Sequence, residues 1–124
     1  MTLQQTVVVL GASPKPDRYS NQAVRQLLAH GHHVLPVHPV CETIHGQVCY
    51  RQLADIKETV DTLTVYIGEN KSTLLLDDII QLNPKRIIIN PGAENIMMEQ
   101  RAQRHEIEVI RSCTLVMLQM GEFA

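Results

Sequence analysis

The stretch TVVVLGASPKPDRYSN, residues 6–21, decides how the rest of the chain is read. Thr6, Val7, Val8, Val9 and Leu10 form a near-continuous apolar, β-branched run, the composition of a strand buried on both faces of a parallel sheet. Gly11 follows where the first glycine of a G-x-G-x-x-G turn would stand. Ser13 takes the place of the second glycine, and Pro14, Lys15, Pro16 and Arg18 come next. Ala23, Val24, Leu27 and Leu28 then recur at helical spacing up to Gly31, a residue suited to a left-handed helix stop. Strand, stiffened loop and helix in that order make a βα unit.

The same alternation continues outward. HVLPVH (33–38), TLTVYI (62–67), RIIIN (86–90) and EVIR (108–111) begin roughly 25 residues apart, the length of a strand plus its crossover helix. Helical spacing returns at Leu74, Leu75, Ile79 and Leu82, ended by Pro84. It returns again over 93–105 and in an apolar tail at 113–120. Residues 40–58 are the least regular, with a short extended piece expected at Gln47–Tyr50 and a helical turn at Leu53–Lys57. The expected fold is a single α/β domain over residues 1–124, Rossmann-like and three-layered, with a five-stranded, mainly parallel sheet in the order 3-2-1-4-5. In such sheets ligands bind beyond the carboxyl ends of the strands, where the strand order reverses. That order places the reversal between strands 1 and 4, where loops Gly11–Ser20 and Asn90–Asn95 would meet.

Composition narrows the partners. The 124 residues are 44% apolar and 19% charged, with a net charge of −2, so no basic footprint for nucleic acid or an anionic membrane is present. With no Trp, one Phe and three Tyr, base-stacking platforms are not expected. Cys41, Cys49 and Cys113 form no C-x-x-C pair, which suits a reducing compartment. The N-terminal MTLQQTVVV lacks the basic, apolar pattern of a secretory signal, and no apolar run approaches the ~18 residues of a membrane span. A cytoplasmic protein is expected.

The first loop carries the chemistry. Ser20 is expected to cap the following helix, with Tyr19 and Val24 as a hydrophobic staple, leaving a nine-residue loop from Gly11 to Tyr19. A helix N-terminus favours anions by roughly 0.3–1 kcal/mol. Lys15 and Arg18 leaning over it suit a ligand with more phosphate charge than NAD. Strand 2 ends in His38-Pro39-Val40, without the carboxylate that would bind a ribose 2′-hydroxyl, so NAD is disfavoured.

Other residues point less far. His30, His32 and His33 flank a helix stop and a strand start, with no metal-ligand spacing, so no metal site is assigned. Cys113, before the last helix, reads as a small buried residue, with a thiol acidified by the helix N-terminus as the sharper alternative. Ser13 lacks the G-x-S-x-G elbow of a nucleophile. Glu94 alone of the nearby acids is placed to face the crevice, or else serves as a first-turn carboxylate. No acid/base pair is assigned, and no catalytic residue.

GASPKPDRYSNQAV, GHHVLPVHP, INPGAEN and CTLVML together resemble the small stand-alone CoA-binding proteins, over essentially the whole chain. The same unit forms the N-terminal nucleotide-binding domain of the succinyl-CoA synthetase alpha subunit and of NDP-forming acyl-CoA synthetases. The resemblance implies coenzyme A or an acyl-CoA as cofactor. Its diphosphate would lie on Gly11, Ala12 and Ser13 and on the helix opening at Tyr19 and Ser20, with Lys15 and Arg18 neutralising phosphate. The adenosine end would sit near His38, Pro39 and the turn from Tyr66 to Gly68, and the pantetheine arm would pass Asn90, Pro91 and Gly92. The phosphohistidine domain of the large synthetases has no counterpart in this sequence, so a non-catalytic carrier, sensor or regulatory module is expected. A trans-acting synthetase subunit and a small NAD(P)-linked oxidoreductase are the alternatives. A homodimer or a ligase partner is compatible with the apolar sheet edges and last helix.

Overall fold

The computed structural model describes residues 4–124. Five parallel strands form the sheet: β1 (Thr6–Leu10), β2 (His33–Val37), β5 (Thr62–Val65), β6 (Arg86–Ile89) and β7 (Glu108–Arg111). Between β2 and β5 lies a hairpin, β3 (Thr43–Ile44) and β4 (Gln47–Val48), followed by a 3-10 turn at Leu53–Asp55. The helices are α1 (Tyr19–Ala29), α2 (Glu69–Thr73), α3 (Leu76–Leu82), α4 (Ile96–Arg104) and α5 (Thr114–Gln119). Among the described residues no helix is long and apolar enough to cross a membrane.

The period-2 pleat divides the core. Val7 and Val9 pack with Val24 and Leu27 of α1 and Met117 and Leu118 of α5. Val8 and Leu10 pack on the opposite face with Ile79 of α3 and Met98 and Ala102 of α4. Each valine of β1 is fully buried, so the run has no polar gap. The α/β, three-layer, Rossmann-like fold is as the alternation of runs indicates.

The strand order is not 3-2-1-4-5. It is β2-β1-β5-β6-β7, so the third sheet strand lies between strands 1 and 4 and strand 2 stands at the edge. Pro36 supplies the reason. In a parallel strand the N–H and C=O of one residue point to the same side, and the Pro36 carbonyl points outward, accepting the Tyr50 N–H at 2.9 Å. The donor that proline lacks would face the same way, so no full strand pairs beyond β2. Among the described residues, the outer side carries the single bridge from Val37 to Tyr50. The reversal therefore falls between β1 and β5, and the loop facing Gly11 is the one after Val65.

Two local expectations also change, while the extended piece and helical turn expected within 40–58 are present as β4 and the turn at Leu53–Asp55. The helix expected through Leu74 and Leu75 is broken there. Leu74 and Leu75 donate to carbonyls three residues back, Leu74 is 83% exposed, and α3 restarts with Ile79 bonding to Leu75. Asn95 holds this corner by donating to the hydroxyls of Ser72 and Thr73, and it caps α4 by accepting the Met98 N–H, so α4 begins at Ile96 rather than near Ala93. The turn His45–Gly46, with both φ angles positive, closes the β3–β4 hairpin at the segment expected to be irregular.

Candidate functional site

One crevice of about 1040 Å³ opens over the carboxyl ends of β1, β2 and β5, at the large end of the range for small-molecule sites. Its floor exists because glycine follows β1. Gly11 has φ +87°, and a Cβ there would lie 2.6 Å from Ile67 Cγ2. The backbone of the first loop thus passes against that of the loop after β5, at the reversal of strand order.

The loop from Gly11 to Arg18 is held from behind. The Lys15 N–H donates to Ser13 Oγ at 3.1 Å, and the Asn21 amide donates to the Ser13 carbonyl at 2.8 Å. Asn21 is buried, and its Oδ1 accepts Nε2–H of His45, at the hairpin turn, at 2.7 Å. Lys15 and Arg18 are consequently carried on the exposed outer side.

Ser20 does not cap α1. The helix cap lies two residues earlier, at Arg18, with α1 starting at Tyr19 and no side-chain cap bond. Tyr19 is 73% exposed, so the Tyr19–Val24 staple is absent and the loop before the cap is two residues shorter than expected. Ser20 is buried in the first turn and lines the crevice. An N-terminus without a capping side chain leaves first-turn N–H groups facing the crevice without a protein side chain to accept them.

All the sequence-assigned residues except Asn90 and Gly92 line this one crevice: Gly11, Ala12, Ser13, Lys15, Arg18, Tyr19 and Ser20 on one wall, His38 and Pro39 at the end of β2, Tyr66 and Gly68 after β5, and Pro91 at the far end. Asn90 has a structural task instead. Its amide donates to Thr64 Oγ1 at 2.7 Å and the Val65 carbonyl at 2.9 Å, and its Oδ1 accepts the Thr114 N–H at 2.9 Å. It ties the ends of β5 and β6 to the start of α5. The Gly92 N–H is taken by the Glu94 carboxylate at 3.1 Å, so Glu94 neither lines the crevice nor belongs to the first turn of α4. Both displacements follow from β5 standing between β1 and β6. Cys113 is the N-cap of α5 and does not line the crevice.

His38 accepts the N–H groups of Val40 at 3.1 Å and Cys41 at 2.8 Å on Nδ1. With Nδ1 accepting, Nε2 carries a ring hydrogen and is the free hydrogen-bonding atom. Burial raises the Tyr66 phenol to about 12, and its hydroxyl is buried with no hydrogen-bond partner. The three histidines near Gly31 go to separate partners: His30 to the Gln26 carbonyl, His32 to the Gln5 N–H, His33 to Glu58.

Sequence reasoning missed Arg51 and Lys71, which also line the crevice. Lys71 was legible once the strand order is right, because the loop after β5 then faces Gly11. Arg51 follows Tyr50, whose edge bridge carries it to the mouth, and nothing local in the sequence marks it. Lys15, Arg18, Arg51 and Lys71 face a single lining acid, Glu69, and none of the four makes a salt bridge among the described residues. A protein of net charge −2 has gathered uncompensated cations around one cavity. The donor set suits a polyanion with an apolar portion: cations at the rim, free helix amides, and Leu53, Leu75 and Pro91 along the walls.

The comparisons bear on which polyanion. A family model for a CoA-binding domain matches residues 5–119. A solved structure described as an uncharacterized protein superposes with a TM-score of 0.92 at 36% identity, covering 98% of this chain and 99% of its own. A Thermus thermophilus protein gives 0.88 at 28% identity, covering 97% and 91%. The apo form of the dinucleotide-forming acetyl-coenzyme A synthetase 1 of Ca. Korarchaeum cryptofilum gives 0.72 at 26% identity, covering 85% of this chain but 25% of the synthetase. With the match running through the first loop, the edge strand and α5 alike, the chain belongs to the CoA-binding domain family.

Proposed function

We propose that the crevice binds coenzyme A or an acyl-CoA, and that the chain acts as a carrier, sensor or regulatory module without chemistry of its own. The observation that carries this is the ring of Lys15, Arg18, Arg51 and Lys71 around an uncapped helix N-terminus, opposed by Glu69 alone. The diphosphate is held by Lys15, Arg18 and the first-turn amides of α1, and Gly11 admits it close to the backbone. His38 offers Nε2–H, and no carboxylate stands at the end of β2 to oppose a phosphorylated ribose. Pro91 and Leu75 line the way for the pantetheine arm.

Isothermal titration of the full chain with CoA, acetyl-CoA, NAD and NADP tests this reading. Saturable binding of CoA, tighter than either dinucleotide, is expected, with a thermal shift that follows ligand concentration; about 100 Kd of ligand adds roughly 2.7 kcal/mol. Tighter binding of NAD or NADP overturns it. The likeness to one quarter of the acetyl-CoA synthetase favours a second reading, a domain that completes a ligase in trans. Recovery of a stable complex with a ligase subunit separates it from the first.

A further inference from the structure

Cys41 and Cys49 stand on either side of the β3–β4 hairpin, both are free, and both pack against the same core cluster under α1. The hairpin register pairs Thr43 with Val48 and Ile44 with Gln47, and the Cys49 N–H donates to the Glu42 carbonyl at 2.9 Å, extending the ladder by one step. Cys41 is one residue beyond that pair. Opposed residues stand about 5 Å apart at Cα and Cys41 is one chain step of about 3.8 Å past Glu42, so Cys41 and Cys49 are near neighbours, and a small adjustment of the chain before the ladder brings them within the ~4.4–6.8 Å Cα span of a disulfide. In a continued ladder they would point to opposite faces. Here the chain leaves the ladder before Cys41, and both thiols reach the same cluster.

From this register and shared packing we propose that Cys41 and Cys49 are a modification site, a dithiol that closes reversibly to an intrachain disulfide against a low-molecular-weight disulfide, RS–SR. The Cys41 thiolate attacks one sulfur of RS–SR, forming a Cys41 mixed disulfide and expelling RS⁻. Cys49, its proton lost to solvent, attacks the Cys41 sulfur and expels the second RS⁻. The sum is two protein thiols plus RS–SR giving one protein disulfide plus two RSH, with two electrons passing to the oxidant. Cys41 acts first because it is the less hindered chemically: burial, and then the neighbouring Cys41 thiol, hold the Cys49 thiol up at about 11. The mixed disulfide removes the Cys41 charge, the second cause of that elevation; burial remains, so the closing step is the slower one and is favoured by alkaline pH.

The site is next to the crevice without belonging to it. The Cys41 N–H is held by His38 Nδ1, and the hairpin turn holds the first loop through His45 and Asn21. The proposal is independent of what the crevice binds.

Reduced, desalted full-length protein is incubated with excess oxidised glutathione at mildly alkaline pH, alkylated, and examined by intact and peptide mass spectrometry. The expected product has lost two hydrogens, gives a Cys41–Cys49 cross-linked peptide, is alkylated once at Cys113, and returns to three alkylatable thiols with dithiothreitol. Cys49→Ser is expected to stop at the Cys41–glutathione adduct. A wild-type product carrying glutathione with no internal bond, a bond that includes Cys113, or three thiols still free each overturns the proposal. The wild-type experiment decides it even if the variant fails to fold.

Discussion

A methyl group on Gly11 would stand 2.6 Å from Cγ2 of Ile67, and the backbone of Tyr66 and Ile67 closes behind it at 3.4 Å. This is the contact by which β1 and β5 come together above the sheet and open the crevice. The φ of +87° disfavours any side chain at the same position. Gly11→Ala is expected to cost about 1–3 kcal/mol of stability, since a disfavoured backbone and a steric overlap act together. Chemical denaturation measures the loss, and calorimetry should show weaker CoA binding because Ile67 is pushed into the site.

Lys15 and Arg18 are exposed and make no salt bridge among the described residues, so removing either should leave the melting temperature nearly unchanged. Each desolvated phosphate contact carries ~1.5–3 kcal/mol, so Lys15→Ala and Arg18→Ala should each weaken CoA binding roughly tenfold or more. Salt titration gives an independent check, because affinity should fall with ionic strength and fall less steeply in each variant. CoA affinity equal to wild type in both variants removes the phosphate assignment.

Asn90 makes three buried hydrogen bonds that tie β5, β6 and α5 together. Asn90→Ala leaves the Thr114 N–H buried and unpaired, at ~1–3 kcal/mol, and takes one of two partners from the Val65 carbonyl and the Thr64 hydroxyl, which keep the residue-90 N–H and the Thr114 hydroxyl. Of the variants discussed here it should be the most destabilised, by about 3 kcal/mol or more. A denaturation midpoint close to wild type contradicts that role.

Tyr66 presents the opposite case. Its buried hydroxyl has no partner, so Tyr66→Phe should be neutral or stabilising by up to about 1 kcal/mol. A clear loss of stability on thermal melting shows that the hydroxyl is satisfied after all.

His32 is held below its ordinary value of 6.5 by burial, then by the charges of His30 and Arg86. Its Nδ1 accepts the Gln5 N–H at 3.0 Å and its ring packs against Phe123 at 5.1 Å. The folded state resists the proton that the unfolded chain takes up near 6.5. Its contribution is therefore complete above that pH and is lost as the pH falls below it toward the lower folded value. Asp61, lowered first by the Thr6 N–H, and Glu99, lowered first by Arg111, act in a more acidic window below their ordinary 3.8 and 4.5. Between about pH 7.5 and 5.5 the fall in melting temperature should be shallower in His32→Asn than in wild type.

Much of this molecule was legible one element at a time. β1, β6 and the stop of α1 at Gly31 follow from β-branched runs and a left-handed glycine, because these are decided by backbone sterics and by burial on both faces. The crevice residues of the first loop and of His38–Pro39 follow from the same local logic, as positions at carboxyl ends of strands. Asn90 and Gly92 were misplaced because their position depends on which strand neighbours which, and Ser20 because a cap depends on where the helix axis enters. Pro36 held the clue to the edge, but it becomes decisive only when the direction of its carbonyl is known.

The amino-acid order alone determined the α/β alternation, the apolar strands and the cationic loop, all of which rest on neighbours within a few residues. Only the folded chain decided that β5 lies beside β1 and that Arg51 and Lys71 join Lys15 and Arg18. These are pairings across long stretches of chain, and they are selected by the packing of whole layers rather than by any local preference.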